Sequence, residues 1–469
     1  MVKTLLKAVV KKQLKKKRAK KRKQKKRTEC DCGKKKKTRQ GQRSQDQCEP
    51  ELKLLSVEFL NDLKIYKDQA GKAPRIKGPE WKDQDQNGEP EIHERIGYIS
   101  GNTLQIRAKF SVEEKPQDLK TVVTVIGNAK TPEGKEFHFQ HDATLKGDYV
   151  TTKPMSAKKA LVKGHTQFFN PLTIDWTLKY KKDGIPKTRE IGESKHQVYV
   201  TLKPKSKHLE KLYLSLLHWA TSVPGAENDA GAVKNTWSLF ANPTGTDDLK
   251  TWDNKRALRY YGTGIEACHH GIEAFLTAPD ESSGGCGVFA NLFIETLWVN
   301  GISSRCVTVE PASPENDEIM LIREWEIVNT SSDDLPRYKW LFLLHELEAT
   351  MIPPFTKDLV YGDIKSVPGL AGQNSINPLE KAFTEHFIVK VEISSIPYYD
   401  PSYGMTYNGN QEAAQKDFED KAIYGYFAVH PIDGNKLNHY RVRKHQRRGD
   451  VLFKENQSHN PLCGASSHN

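Results

Sequence analysis

The sequence predicts a multidomain chain in which an all-β domain precedes an α+β domain. Three observations predict it. Short runs of alternating apolar and polar residues fill positions 51–204, with turn signals between them. At Pro204-Lys205-Ser206-Lys207 the pattern changes to helical spacing. Beyond Gly301 it returns to strand-like runs, and helices followed by strands is an α+β order.

Residues 1–50 form a leader of different character. Positions 1–40 carry 20 Lys and Arg against two acids, Glu29 and Asp31, a charge of +18. The whole chain carries +13, so the remainder is 13 − 18 = −5. The basic character therefore belongs to a low-complexity tail that buries little and is expected to be disordered. Such a tail suits an anionic surface or a nucleic acid, whereas the mildly acidic body does not look like a nucleic-acid-binding domain. Cys30-Asp31-Cys32 with Cys48 lacks the paired spacing of a zinc site.

Within 51–204 the clearest strand is Leu104-Gln105-Ile106-Arg107-Ala108-Lys109-Phe110-Ser111-Val112, with Leu, Ile, Ala, Phe and Val on one face. Leu54 to Leu60, Thr121 to Ile126, Leu172 to Tyr180 and Gln197 to Leu202 follow the same rule. Asn87-Gly88, Pro132-Glu133-Gly134 and Asp183-Gly184 mark turns. This spacing predicts an antiparallel sandwich of immunoglobulin-like type, a binding or spacer module without a catalytic constellation.

The second domain is expected over 205–440. His208 to Ser222 reads as an amphipathic helix, with more helix around Trp252 to Tyr261. Cys286 opens an apolar helical run through Val288, Phe289, Leu292, Phe293 and Leu297 that ends at Asn300-Gly301. Strands follow at Arg305 to Val309, Ile319 to Ile322, Trp325 to Val328 and Phe387 to Ile393. Tyr398-Tyr399-Asp400 ends a further one. Lys339 to Leu347 is apolar and aromatic, and residues 352–380 read as a long Pro- and Gly-rich loop. Residues 441–469 read as a basic and polar C-terminal tail.

The chemistry-bearing residues lie in this domain. A cysteine behind Gly284-Gly285 at a helix start gains from the unpaired N–H groups and the helix dipole, which favour a thiolate. A thiolate nucleophile needs a base, and the base an orienting group. His386 begins a strand, and Asp400 lies 14 residues on (400 − 386), at the end of the next one. Neighbouring antiparallel strands can set two such residues side by side. His345 is the rival base, and Cys268-His269-His270 a weaker metal or Cys–His candidate.

Four stretches carry a resemblance. Gly285-Cys286-Gly287-Val288-Phe289-Ala290 resembles the Gly-Gln-Cys-Trp-Val-Phe-Ala signature of the transglutaminase-like superfamily. Gly301-Ile302-Ser303-Ser304-Arg305-Cys306-Val307-Thr308 is similar to its Gly-Ile-Pro-x-Arg-x-Val-Thr stretch. Glu385 to Val391 resembles its histidine strand, and Tyr399-Asp400-Pro401-Ser402 its Asp-Pro-Ser/Thr. The likeness spans roughly 208–430. It implies a papain-like α+β core with Cys286 as nucleophile, His386 as base and Asp400 as orienter. The implied activity is acyl transfer through a thioester, by a transglutaminase, deamidase or protease-like hydrolase acting on Gln or other amide groups of a protein or peptide. Trp252 is the candidate second oxyanion donor, beside the Cys286 N–H.

Gly285 and Gly287 replace the family's Gln and Trp, and Cys286 and His386 are 100 residues apart (386 − 286), more than is usual there. Gly285, Gly287 and Gln373 are therefore the candidate substrate-loop positions. The alternative reading is a catalytically silent scaffold of the same fold that binds other proteins.

No cofactor or metal is expected. The acidic clusters Glu315-Asn316-Asp317-Glu318 and Ser332-Asp333-Asp334 read as solvated loops and give calcium dependence no support. Seven scattered cysteines do not resemble a disulfide framework, and Cys306 is expected to be buried and inert. No apolar run is long enough to span a membrane, and the first ten residues do not make a secretory signal. A soluble cytoplasmic protein is the default expectation, with delivery by a signal-independent route left open.

Overall fold

The computed structural model describes residues 50–69, 71–85, 87, 89–114, 122–145, 147–182, 184–241, 249–260, 268–269, 271–279, 282–312, 319–322, 382–383, 385–393, 395–431, 438–444, 451–455 and 463. The leader, His345, Gln373, the strand expected at 325–328 and the 352–380 loop lie outside them. Strand is the commonest structure in the described chain, with five helices among the described residues: α1 Leu214–Thr221, α2 Asp229–Phe240, α3 Ile272–Thr277, α4 Cys286–Val299 and α5 Gln411–Ala422.

The N-terminal half builds two sheets over one apolar core. One sheet is centred on Glu51–Leu60 paired antiparallel with Gln105–Glu114, Val57 opposite Ala108. The other is centred on the long hairpin Gln167–Lys182 and Ile185–Thr201, flanked by Val122–Lys130 and Arg95–Ile99. Alternation decides which side chains face inward. Ile106, Ala108 and Phe110 from the first sheet meet Val125, Ile174, Trp176 and Leu178 from the second, all essentially without exposure. The Phe110 and Trp176 rings touch edge to face at 5.6 Å. Three buried polar groups there are linked: Trp176 Nε1 donates to Ser194 Oγ, which also bonds His196 Nε2.

A second apolar core surrounds α4. This helix is apolar on nearly every face, and 12 of its side chains are buried, as befits a helix packed on all sides. It lies on a five-stranded sheet in the order Met405–Tyr407, Tyr398–Asp400, His386–Val391, Ser304–Pro311, Val451–Glu455. Asn300, just past α4 and without exposure, joins the two halves. Its Oδ1 accepts from Leu202 N at 2.9 Å, and its Nδ2 donates to Ala220 O at 2.8 Å.

Several expectations are corrected. The helix read over His208 to Ser222 is shorter, because Leu212–Tyr213 pairs as strand with Ile65–Tyr66 before α1 begins. The helix read around Trp252 to Tyr261 is instead a strand, Ala257–Tyr260, paired with Leu249–Lys250 and Ser282–Gly284. The segment 441–469 is not a frayed tail throughout. Asn438–Lys444 is a strand, and Val451–Glu455 completes the five-stranded sheet by pairing with Ser304–Pro311. Its alternating Val451, Phe453 face is buried, so the apolar gain outweighs the polar context. Finally, Cys306 is not a lone thiol but is bonded to Cys463, 157 residues away, their Cα atoms 5.4 Å apart.

Candidate active site

Cys286 is the first residue of α4. Gly285 caps the helix in an extended conformation, φ −80° and ψ 179°, without a side-chain cap. The helical ladder starts with Val288 N, which donates to Gly285 O at 3.1 Å. The N–H groups of Cys286 and Gly287 stand ahead of that ladder, as the first donors of a helix do. Gly284 has to be small: a Cβ there would come within 3.1 Å of Val288 Cβ and 3.2 Å of Phe275 Cε2.

His386 opens its strand one layer below. The register pairs Val389 with Tyr399 and Lys390 with Tyr398. Continued, it sets Asp400 opposite Ile388, with His386 two residues further on the same face, a diagonal neighbour. The side chains meet there: His386 Nε2 and Asp400 Oδ2 are 2.9 Å apart, both residues without exposure. That leaves Nδ1 on the other side of the ring, and Cys286 lies near enough to act on the charge of the imidazole. Burial alone would push the imidazole toward neutrality. The Asp400 charge and hydrogen bond, joined by Cys286, outweigh it and raise His386 from 6.5 to about 10.

Asp400 is held by two more donors. The Tyr407 hydroxyl donates to Oδ2 at 3.1 Å, and Ser402 N to Oδ1 at 3.2 Å. Burial and the neighbouring carboxylate raise Tyr407 well above its usual range, so it stays a donor. The turn through Ser402-Tyr403-Gly404, with Gly404 at φ 65°, folds Met405–Tyr407 back onto Tyr398–Asp400 and supplies this contact. Tyr403 and Phe418 flank the imidazole, ring centroids 5.5 and 6.0 Å away. Cys286 itself is only 7% exposed, so the thiol, imidazole and carboxylate lie in a largely dry setting.

The structure thus brings Cys286, His386 and Asp400 together. It places Trp252 elsewhere: the Arg95 guanidinium lies over its ring at 4.4 Å, and its backbone N–H donates to Ser215 Oγ. None of its described contacts reaches the three residues. Gly287 faces Phe387 and Cys463, which a Cβ would meet at 3.4 Å (Phe387 Cδ2) and 3.8 Å (Cys463 Cβ). Cys268–His269 is a short strand whose backbone pairs with Ser283 and Gly284.

Two features of the site were not read from the sequence. One is Tyr407, for which the hairpin after Asp400 was the available signal. The other is the clamp by Asn291 on the chain at Cys463. Asn291 Nδ2 donates to Cys463 O at 2.9 Å, and Cys463 N donates to Asn291 Oδ1 at 2.6 Å. With the bond to Cys306, this fixes Cys463 beside the first turn of α4, and nothing local in the sequence encodes a contact over 172 positions.

No protein-family model matches the chain, and none of the curated proteins matches it. Among the described residues, no helix is long and apolar enough to cross a membrane.

Proposed function

We propose that the chain is a cysteine-dependent acyltransferase or amidohydrolase with a papain-like, transglutaminase-type core and an immunoglobulin-like module before it. The observation that carries this reading is the buried alignment of the Cys286 thiol, the His386 imidazole and the Asp400 carboxylate. A scaffold needs none of the three in register, and burying a bonded His–Asp pair beside a thiol at a helix N-terminus is costly without a use.

The residues divide the work as follows. The Cys286 proton already rests on His386, whose raised pKa holds it there, and the thiolate attacks the carbonyl carbon of a carboxamide. The resulting oxyanion is met by N–H groups ahead of the α4 ladder, that of Cys286 first. The tetrahedral centre collapses to a thioester as the C–N bond breaks, and His386 passes the proton to the departing ammonia or amine. Asp400, held by Ser402 N and Tyr407, fixes the imidazole so that Nδ1 points to sulfur throughout. An amine or water then attacks the thioester, His386 takes the attacker's proton, and the thiolate is restored. The small exposure of Cys286 favours acyl transfer within a site that excludes bulk water.

The test is ammonia release from glutaminyl peptides, followed with and without an added primary amine by mass spectrometry. Wild type should release ammonia and Cys286→Ala should not. A gain of about one mass unit on the peptide reports hydrolysis, and an amine adduct reports transfer. Equal rates for the two proteins would refute the assignment and favour the scaffold reading. The Cys306–Cys463 bond belongs with oxidising surroundings, so the assay is run without reductant as well as with it.

A further inference from the structure

The linear order of residues 83–94 carries a pattern that acyl transfer does not use. In Asp83-Gln84-Asp85-Gln86-Asn87-Gly88-Glu89-Pro90-Glu91-Ile92-His93-Glu94, acids or amides stand at positions 1, 3, 5, 9 and 12, with glycine at 6. That is the spacing of a calcium-coordinating loop: an oxygen at every second residue, a glycine at the sharp turn and a closing carboxylate. The match holds at each of these positions and corrects the expectation that the sequence offers no metal site.

The folded chain supplies a second and independent observation. Carboxylate oxygens of Asp83, Asp85 and Glu91 converge to within 4.8 Å of one another. Backbone donors shape the cluster, Gln84 N and Asp85 N to Glu91 and Asn87 N to Asp83, and the repulsion among the three carboxylates they bring together is a cost that a divalent cation offsets. Asp83 is only 5% exposed, so water screens its charge poorly. The loop is closed at its base by Trp81–Lys82 and Ile92–His93, Lys82 opposite Ile92, so strands and not helices present it. Glu94, at the twelfth position, is ion-paired with Lys67, and Glu91 is the acid that closes on Asp83 and Asp85.

We infer that residues 83–91 form a calcium site. Its ligands are the carboxylates of Asp83, Asp85 and Glu91, the Asn87 side-chain oxygen and, at the seventh position, the Glu89 main-chain carbonyl. An all-oxygen set disfavours zinc and copper, and a pliant loop with this many protein oxygens suits calcium better than magnesium. A single loop with two of its acids exposed is expected to bind with a Kd of about 10⁻⁵–10⁻³ M. The site stands apart from Cys286 and is independent of the acyl-transfer reading.

The experiment uses the full chain. Calcium chloride is titrated by calorimetry, and terbium is titrated by its luminescence, excited through Trp81 two residues before Asp83. The expected result is one calcium per chain, which displaces terbium, with magnesium at least about tenfold weaker. D85N/E91Q alters two exposed side chains and should weaken calcium at least about tenfold with the circular dichroism unchanged. D85N alone serves if the double variant misfolds. Absence of calcium heat and of Trp81-sensitised terbium emission up to about 10 mM metal would overturn the site. Undiminished binding in the variants would overturn it equally, by placing the cation elsewhere.

Discussion

Asp400 shows how the candidate site is held. One carboxylate oxygen serves both His386 and Tyr407, and the other takes Ser402 N, so orientation rests on three donors. Tyr407→Phe removes one bond to a charged group, worth about 1.5–3 kcal/mol. Turnover should then fall about tenfold or more while peptide affinity changes little, which steady-state kinetics would separate. His386 carries a pH signature. Its pKa rises from 6.5 to about 10 on folding, so the folded state binds the proton more tightly. The stability this contributes is fully present below 6.5 and is lost as pH rises through 10. In urea melts, the gap between wild type and His386→Gln should be widest at the acidic end of that window and narrow toward pH 10. A gap that widens with pH would contradict the assigned pair. Cys286, His386 and Asp400 were legible in the sequence because each sits at an element boundary with a local signal. Tyr407, Asn291 and Cys463 were not, since each acts through a partner that only the folded chain brings near.

At the scale of elements, α4 is the joint of the second core. Its end is fixed by Asn300, which bonds Leu202 N and Ala220 O without exposure to water. Asn300→Ala leaves a buried donor and a buried acceptor unpaired, at about 1–3 kcal/mol each. A matching loss in chemical denaturation, with Cys286 still reactive to iodoacetamide in the folded protein, is the expected outcome. Elements with strong apolar periodicity were readable: α4, Gln105–Glu114 and His386–Val391 lie where alternation or helical spacing put them. α5 was not, because only Ala414, Phe418, Glu419 and Ala422 of its polar sequence are buried. The strand Ala257–Tyr260 was misread as helix because a run of four residues is too short for either period to declare itself, and pairing with Ser282–Gly284 decided the matter.

At the scale of the whole molecule, the Cys306–Cys463 bond closes a loop across 157 residues. In the chain-entropy account, such a loop stabilises by up to about 5 kcal/mol by restricting the unfolded chain. Cys306→Ser/Cys463→Ser, or reduction of the wild type, should therefore lower the denaturant midpoint substantially. The double variant should also become insensitive to reductant, a control that separates the bridge from the Cys286 thiol. No local signal announced this pairing, for seven scattered cysteines offer many partners and the choice was made by the sheet that sets the two side by side. The Gly287 position has the same origin. A Cβ at Gly287 would already touch Phe387 and Cys463, so the bulk of the tryptophan in the resembling signature has to press on one of them, and Gly287→Trp should lower the yield of the bond, as peptide mapping without reduction would show.

The strand Val451–Glu455 gives the molecule a timetable. The helix that opens with Cys286 and the strand Ser304–Pro311 are made first, but their sheet lacks an edge until residue 455 emerges, and the Asn291 clamp stays unfilled until residue 463 does. Pairings across such separations form late in folding, after local helices and hairpins. A nascent chain therefore carries Cys286 through the 177 residues (463 − 286) up to Cys463 without its completed surroundings. Under the proposed acyl transfer, biosynthetic order itself would act as a safeguard, keeping the thiol idle among surrounding amides until these strands have joined.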